Sequence, residues 1–199
     1  MAERILLACA ALLLSLVVGL ALFWHPEPPE RVLPKAAGGG GGDFTLQSAA
    51  GPVSLSDYKG KVVLLYFGYT YCPDICPTSL VATAAGLKQL SADEQARVAM
   101  IFISVDPERD TPARLKEYVE FFHPNIVGVT GSAESLADIA RRYGAFYAKQ
   151  SVATAGGGYV VDHSADTYVI GADGKLVGKI AHATPPEQVA GEIRKHLQK

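Results

Sequence analysis

The sequence predicts an α/β domain, a central mixed sheet flanked by helices, preceded by one N-terminal transmembrane helix. Three observations carry that prediction. Lys61–Gly68 (KVVLLYFG) and Val98–Val105 (VAMIFISV) are continuous apolar runs, the pattern of strands buried on both faces. The segments between and after them place apolar residues at helical spacing. Ile5–Trp24 (ILLACAALLLSLVVGLALFW) is twenty residues long without a charge. At about 1.5 Å of rise per residue, such a helix matches a hydrocarbon core of about 30 Å.

The anchor comes first in the chain, over residues 1–24. A cleaved signal peptide would have a shorter apolar region ending in a small-x-small site, whereas this run ends in Phe23-Trp24-His25-Pro26. Cys9 is a poor lipid-attachment site, because almost all the apolar residues follow it. Only Arg4 and the amino terminus precede the span, which favours an inner N-terminus modestly. Residues 25–42 (HPEPPERVLPKAAGGGGG) pass from proline-rich to glycine-rich. They read as a tether, stiff at first and flexible over Gly38–Gly42. The remaining 43–199 are of a size for one domain with a full core. A net charge of −2, with Lys and Arg scattered, excludes a nucleic-acid-binding surface.

Within the domain, Phe44–Gln47 and Val53–Leu55 suggest a hairpin turned by Ala49-Ala50-Gly51-Pro52. After the first buried strand and its cysteines, Thr78–Leu90 reads as a helix with Leu80, Ala84 and Leu87 on one face. After the second, Thr111 followed by Pro112 is a strong helix start, with Leu115, Val119 and Phe122 as its stripe. Ile126–Val129 is a third strand. Ser132 caps a helix carrying Leu136, Ile139, Ala140 and Tyr143 inward, and Gly144 stops it. Phe146–Lys149 and Tyr159–Val161 flank the loop SVATAGGG. Thr167–Ile170 and Lys175–Ala181 form a hairpin around Ala172-Asp173-Gly174, and Pro185–Leu197 closes the chain as a helix. This order is of the thioredoxin type, with helices on both faces of the sheet.

The chemistry gathers at Cys72 and Cys76, just past the C-terminal end of the first buried strand, the edge where open α/β sheets place ligands. At helical spacing the two lie on one face with Cα atoms about 6 Å apart. That permits a disulfide, a redox couple or a shared metal ion. A helix N-terminus behind them favours thiolates. Three residues intervene, where disulfide-exchange enzymes commonly have two. Two thiolates with one imidazole suit copper, as Cu(I) or Cu(II). Zinc usually takes a fourth ligand, and the domain has no third cysteine.

Three segments make the pattern specific: GYTYCPDICPTSL (Gly68–Leu80), SVDPERDTP (Ser104–Pro112) and YVVDHSADTYVIGADGKLV (Tyr159–Val177). Together they resemble the Sco/SenC family of copper chaperones, over essentially the whole domain and in the same order. The resemblance implies a thioredoxin-like fold and copper held by the two cysteines of C-P-x-x-C-P and a distant histidine in D-H-S. Here those positions are Cys72, Cys76 and His163. It further implies a role in assembling the dinuclear copper centre of cytochrome c oxidase subunit II, as metal donor, thiol reductant or both. Other copper chaperones and thiol reductants are the further partners it suggests. The family plan, with a composition that lacks a mitochondrial presequence, points to a bacterial inner membrane, a single pass and the domain on the periplasmic side.

Apart from that resemblance, His163 is a loop histidine beside Asp162 at the start of a strand. Asp162 would either orient the imidazole or simply begin the strand. His25, His123, His182 and His196 have no local partner pattern. Tyr69 and Tyr71 read as walls of the site, and turn and cap chemistry accounts for Asp74 and the Asp106–Asp110 turn. Gly156-Gly157-Gly158 is particular to this chain, and suggests that His163 swings in when metal arrives. The competing function is a membrane-anchored thiol–disulfide oxidoreductase without a metal. Such proteins carry a cis-proline opposite the cysteines, and His163-Ser164-Ala165-Asp166 has none. A peroxidase would need proline and threonine where Leu65 and Tyr69 stand.

Overall fold

The computed structural model describes Arg4–Leu7, Cys9, Leu13, Ser15, Gly19, residues 40–152 and residues 158–198. The chain divides into two units, Met1–Leu33 and Pro34–Lys199. In the first, the described residues are helical. No helix among the described residues is long and apolar enough to cross a membrane. Most of the expected span Ile5–Trp24 lies outside the described residues, as do Gly156 and Gly157.

The second unit is built on five strands: β3 (Val62–Gly68), β4 (Val98–Ser104), β5 (Ile126–Val129), β8 (Thr167–Ile170) and β9 (Leu176–Ile180). They run in the order β5-β4-β3-β8-β9. The β3–β4 and β4–β5 pairs are parallel, whereas β3–β8 and β8–β9 are antiparallel, so the sheet is mixed as expected. Every residue of β3 and β4 is buried. Their unbroken apolar runs are the direct consequence, since neither face of the sheet centre meets water.

The helices are α1 (Ile75–Leu87), α2 (Ala92–Ala96), α3 (Pro112–Glu120), α4 (Ala133–Tyr143) and α5 (Pro186–Leu197), and all but the short α2 bury an apolar stripe. The stripe of α5 buries Val189, Ile193 and Leu197, each contributing about 1.5–3 kcal/mol. α1 and α5 meet closely at Gly86, where a Cβ would stand 2.7 Å from Val189 Cγ1. Thr111 and Ser132 cap α3 and α4 by accepting from the amides of Arg114 and Ser135. Gly144 ends α4 in the left-handed conformation, φ 65°, as its position after the helical stripe requires.

Several boundaries differ from the sequence expectation. α1 begins at Ile75, not Thr78, which brings Cys76 into its first turn. Pro77 does not prevent this, because the first amides of a helix have no intrahelical acceptor to lose. The same helix ends at Leu87, and Gln89 and Leu90 continue in tighter i to i+3 bonds. α2 was not anticipated, although Ser91 and Glu94 form a reciprocal capping box visible as S-x-x-E. The first hairpin, β1 (Thr45–Ser48) with β2 (Gly51–Ser54), turns at Ala49-Ala50 alone. Two of the tether's glycines contact the domain. Gly41 donates to the Arg142 carbonyl at 3.1 Å and Gly42 accepts from the Tyr143 hydroxyl at 2.7 Å. A side chain at Gly41 would meet the Tyr143 ring at 2.9 Å.

The largest difference concerns β6 (Tyr147–Val152) and β7 (Gly158–His163). They extend beyond the expected strands and pair with each other as a separate two-stranded sheet. His163 therefore ends a strand rather than starting one. Only Val161 of β7 is fully buried, so the strand shows no clear alternation.

Candidate metal centre

The site begins where β3 runs out. Gly68 is the last strand residue, and a Cβ there would lie 2.7 Å from Cys76 Sγ; glycine is what lets the thiol sit against the strand end. Tyr69 to Asp74 then form a loop, closed at its start by the Cys72 amide donating to the Tyr69 carbonyl at 3.2 Å. Cys76 follows in the first turn of α1, fully buried, and Cys72 is half-buried. The Cys76 amide points at Cys72 Sγ from 3.4 Å, so Cys72 occupies the place of an anion at a helix N-terminus.

The two thiols are electrostatically unequal. The Cys76 thiol first, then the amides of Cys76 and Asp74, pull the Cys72 pKa down to about 3, against an opposing contribution from burial. Burial pushes Cys76 up, and the neighbouring Cys72 sulfur pushes it further. Cys72 is thus the more readily ionised thiol of the pair. Both cysteines are free thiols in the structure.

His163 completes the group. Its Nε2 lies 3.2 Å from Cys76 Sγ, and its Nδ1 lies 2.9 Å from the Ser164 carbonyl. A carbonyl only accepts, so Nδ1 carries the proton and the Nε2 lone pair faces the cysteines. The bond that orients Nδ1 is accepted by the Ser164 carbonyl. The rings of Tyr66 and Tyr69 stand edge-on to the imidazole at 6.0 and 5.8 Å and restrict its rotation. The ligand atoms of Cys72, Cys76 and His163 all lie within 4.8 Å of one another. It is the one such group found among the described residues.

The other candidates fall elsewhere. Tyr69 is buried and accepts from the Val161 amide at 3.2 Å, forming a wall as expected. Tyr71 is 49% exposed and borders the opening. Asp74 accepts from the Thr78 hydroxyl at 3.3 Å. His123 accepts from the Asn125 amide, His182 bonds the Ser79 hydroxyl and His196 meets Glu192; none joins the cluster. His25 lies outside the described residues.

The Asp106–Asp110 turn is more than a turn. Asp106 and Asp110 are both buried. Asp110 accepts from the Thr70 amide at 2.9 Å, the Thr70 hydroxyl at 2.6 Å and the Ser104 hydroxyl at 2.6 Å. It thereby fastens the loop that leads into Cys72. Buried carboxylates must be multiply hydrogen-bonded, so their burial decides the role. Sequence reasoning missed this because nothing local in S-V-D-P-E-R-D distinguishes an inward from an outward aspartate. Gly68 and Tyr66 were missed for the same reason.

A family model described as SCO1/SenC matches residues 34–198. The bovine protein named "Protein SCO2 homolog, mitochondrial" is 41% identical over 160 residues, covering 79% of this chain and 60% of that relative. The chain thus spans less than two thirds of that protein. The crystal structure of Arabidopsis thaliana ScoI with copper bound matches with a TM-score of 0.73 at 36% identity, over 79% of this chain and 98% of that one. BsSco, described as a member of the Sco family of cytochrome c oxidase assembly proteins, matches with a TM-score of 0.63 at 27% identity, over 83% and 98%. The thioredoxin-like α/β fold and the family model, which extends over most of the sequence, agree: the chain belongs to the SCO1/SenC family.

Proposed function

We propose that this protein carries copper on Cys72, Cys76 and His163 and delivers it to the dinuclear copper centre of cytochrome c oxidase subunit II. The observation that carries the reading is the donor set. Two sulfurs and one imidazole nitrogen converge within 4.8 Å, and the Nε2 lone pair is turned inward by the Ser164 carbonyl. Soft thiolates hold Cu(I) and the imidazole adds affinity for Cu(II). Three ligands leave a coordination position through which a carried ion can be passed on. Both sulfurs ligate as thiolates, so loading displaces the protons the pair still holds. The copper-bound relative of the same fold supports copper as the cargo.

The apolar run Ile5–Trp24 supports a single-pass anchor in a bacterial inner membrane with the domain on the periplasmic side. Retention of the intact chain in membranes after a high-salt wash tests that anchor, since screening does not displace apolar residues. A mature N-terminus beyond Trp24 overturns it. Subunit II is the proposed principal partner, and other copper chaperones and thiol reductants meet the same face.

The asymmetric thiols favour a second reading, reduction of a target's disulfide. The Cys72 thiolate would attack one target sulfur and expel the other as a thiolate. Cys76, surrendering its proton to that leaving group, would then attack Cys72 in the mixed disulfide. The products are a Cys72–Cys76 disulfide, one target thiol and one target thiolate, which takes its proton from solvent.

The deciding experiment uses the full-length chain in a mild detergent, as wild type and as His163→Ala. Cu(II) retention against a chelator is measured beside reduction of an oxidised two-cysteine peptide. Carriage predicts that His163→Ala sharply weakens Cu(II) binding and affects Cu(I) less. Wild-type Cu(II) affinity in that variant would remove the three-ligand site and leave the oxidoreductase.

A further inference from the structure

The donors stand on two separate carriers. Cys72 and Cys76 belong to the loop and helix that follow β3, inside the central sheet's framework. His163 ends β7, whose only strand partner among the described residues is β6. A ligand distance set across two elements needs ties between them, and beside the Tyr69–Val161 hydrogen bond a side chain from a third segment touches both.

That residue is Arg109. On the hairpin side its Nη1 donates to the Tyr159 carbonyl at 3.1 Å, and its guanidinium lies 3.7 Å from the centre of the Tyr159 ring. On the cysteine side the same guanidinium lies 4.7 Å from the Tyr71 ring and 5.5 Å from the Tyr69 ring. Beneath it, Nε is paired with fully buried Asp106, whose other oxygen accepts from the Tyr159 hydroxyl at 2.7 Å. Nη2 is buried with no hydrogen-bond partner among the described residues. The aromatic faces are therefore a main part of its environment, where a desolvated cation gains most from them. Tyr159 is four residues before His163 on the same strand, and Tyr71 adjoins Cys72. The planar fork bridges a carbonyl, a carboxylate and stacked rings at once, which an ammonium cannot do.

We infer that Arg109 is a positioning residue for His163: it pins the β6–β7 hairpin onto the cysteine loop and so sets how firmly the imidazole meets copper. The inference rests on the three-ligand reading above. A ligand whose support is loosened spends part of its binding energy on being ordered again, and supporting contacts of this kind are worth about 10–100-fold in metal affinity. The effect should fall on Cu(II), for which the imidazole counts most, and spare Cu(I), which two thiolates hold.

The test is a double-mutant cycle on the full-length chain in detergent, titrating Cu(II) and Cu(I) against chelators and recording the Cu(II)–thiolate absorption. Arg109→Met keeps the aliphatic stem and removes the fork. It should lower Cu(II) affinity about 10–100-fold, shift the Cu(II) absorption and change Cu(I) affinity less than about threefold. Arg109→Lys should fall between. In a His163→Ala background, Arg109→Met should cost less than about twofold more, because two residues acting through one contact are not additive. Full additivity, or equal loss of both copper states, overturns the inference, since Arg109 would then act without His163. So does a wild-type Cu(II) titration and spectrum in Arg109→Met. If Arg109→Met fails to fold, Arg109→Lys and Tyr159→Phe carry the same test, and wild-type Cu(II) affinity in both defeats it. If His163→Ala itself keeps wild-type Cu(II) affinity, the three-ligand reading fails first; a loss there without one at Arg109 defeats the tie alone.

Discussion

The two halves of the site are built in opposite ways. The sulfur half grows out of the core: β3 is buried throughout, Gly68 leaves room for Cys76, and α1 starts directly behind it. The imidazole half sits on a hairpin outside the central sheet and reaches the cysteines through side-chain contacts from Tyr69, Asp106 and Arg109. A half continuous with the core shares its rigidity, whereas a half held by a few polar and cation–π contacts can be loosened locally. The contrast suits a carrier that must hold an ion and then surrender it: one side stays fixed and the other is adjustable.

The first way to break this comparison is to remove one donor from each half. Cys76→Ser should abolish retention of Cu(I) and Cu(II) alike, because a serine hydroxyl is neither soft nor readily ionised. His163→Ala should leave much of the Cu(I) binding. If both variants lose both oxidation states equally, the halves are not separable, and chelator competition on the reduced chain would reveal it.

A second test sharpens the claim that the cysteine half is electrostatically prepared. Cys72 has its pKa lowered to about 3, so its thiolate persists as pH falls and is lost only near that value. Alkylation of the reduced, metal-free chain should therefore proceed at pH 5 at nearly its pH 8 rate. An unperturbed thiol would slow by about 10³-fold over the same interval. Mass spectrometry should find the label on Cys72 and not on buried Cys76. A rate falling tenfold per pH unit below pH 8 would mean that Cys72 is an ordinary thiol.

The smallest expected effect probes the close contact at the strand end. Gly68→Ala places a methyl 2.7 Å from Cys76 Sγ and 3.0 Å from Phe102. Overpacking of this kind costs about 1–3 kcal/mol, measurable by denaturant unfolding. It should also displace Cys76 and weaken both copper states together, unlike any change on the hairpin. Unchanged stability and affinity would show that the sulfur half yields as easily as the other.

Particular residues explain what could be read in advance. The buried strands, the caps at Thr111 and Ser132 and the stop at Gly144 were legible because each depends on neighbours within a few positions. The cysteines were legible as a candidate site through their spacing after a buried strand. His163 stood out only through the resemblance of its D-H-S segment, since 87 residues separate it from Cys76. Its place at the end of β7, and the pairing of β6 with β7 apart from the central sheet, carry no strong periodicity and went unread. The early start of α1 was hidden by Pro77, a residue that breaks helices except in their first turn.

The sequence by itself therefore determined the elements of the core, their α/β order and the donor types available to a metal, all of which follow from local pattern and residue chemistry. Tertiary structure alone decided that Asp106 and Asp110 turn inward, that the Ser164 carbonyl selects the His163 tautomer, and that Arg109 spans the two halves. The inward aspartates and the Arg109 bridge depend on which segments meet across long stretches of chain and on which polar groups are then deprived of water, whereas the Ser164–His163 bond joins neighbours and gains its role only where the cysteines meet it. Burial and the demand that each buried polar group find a partner are properties of the packed molecule, and no local stretch of sequence encodes them.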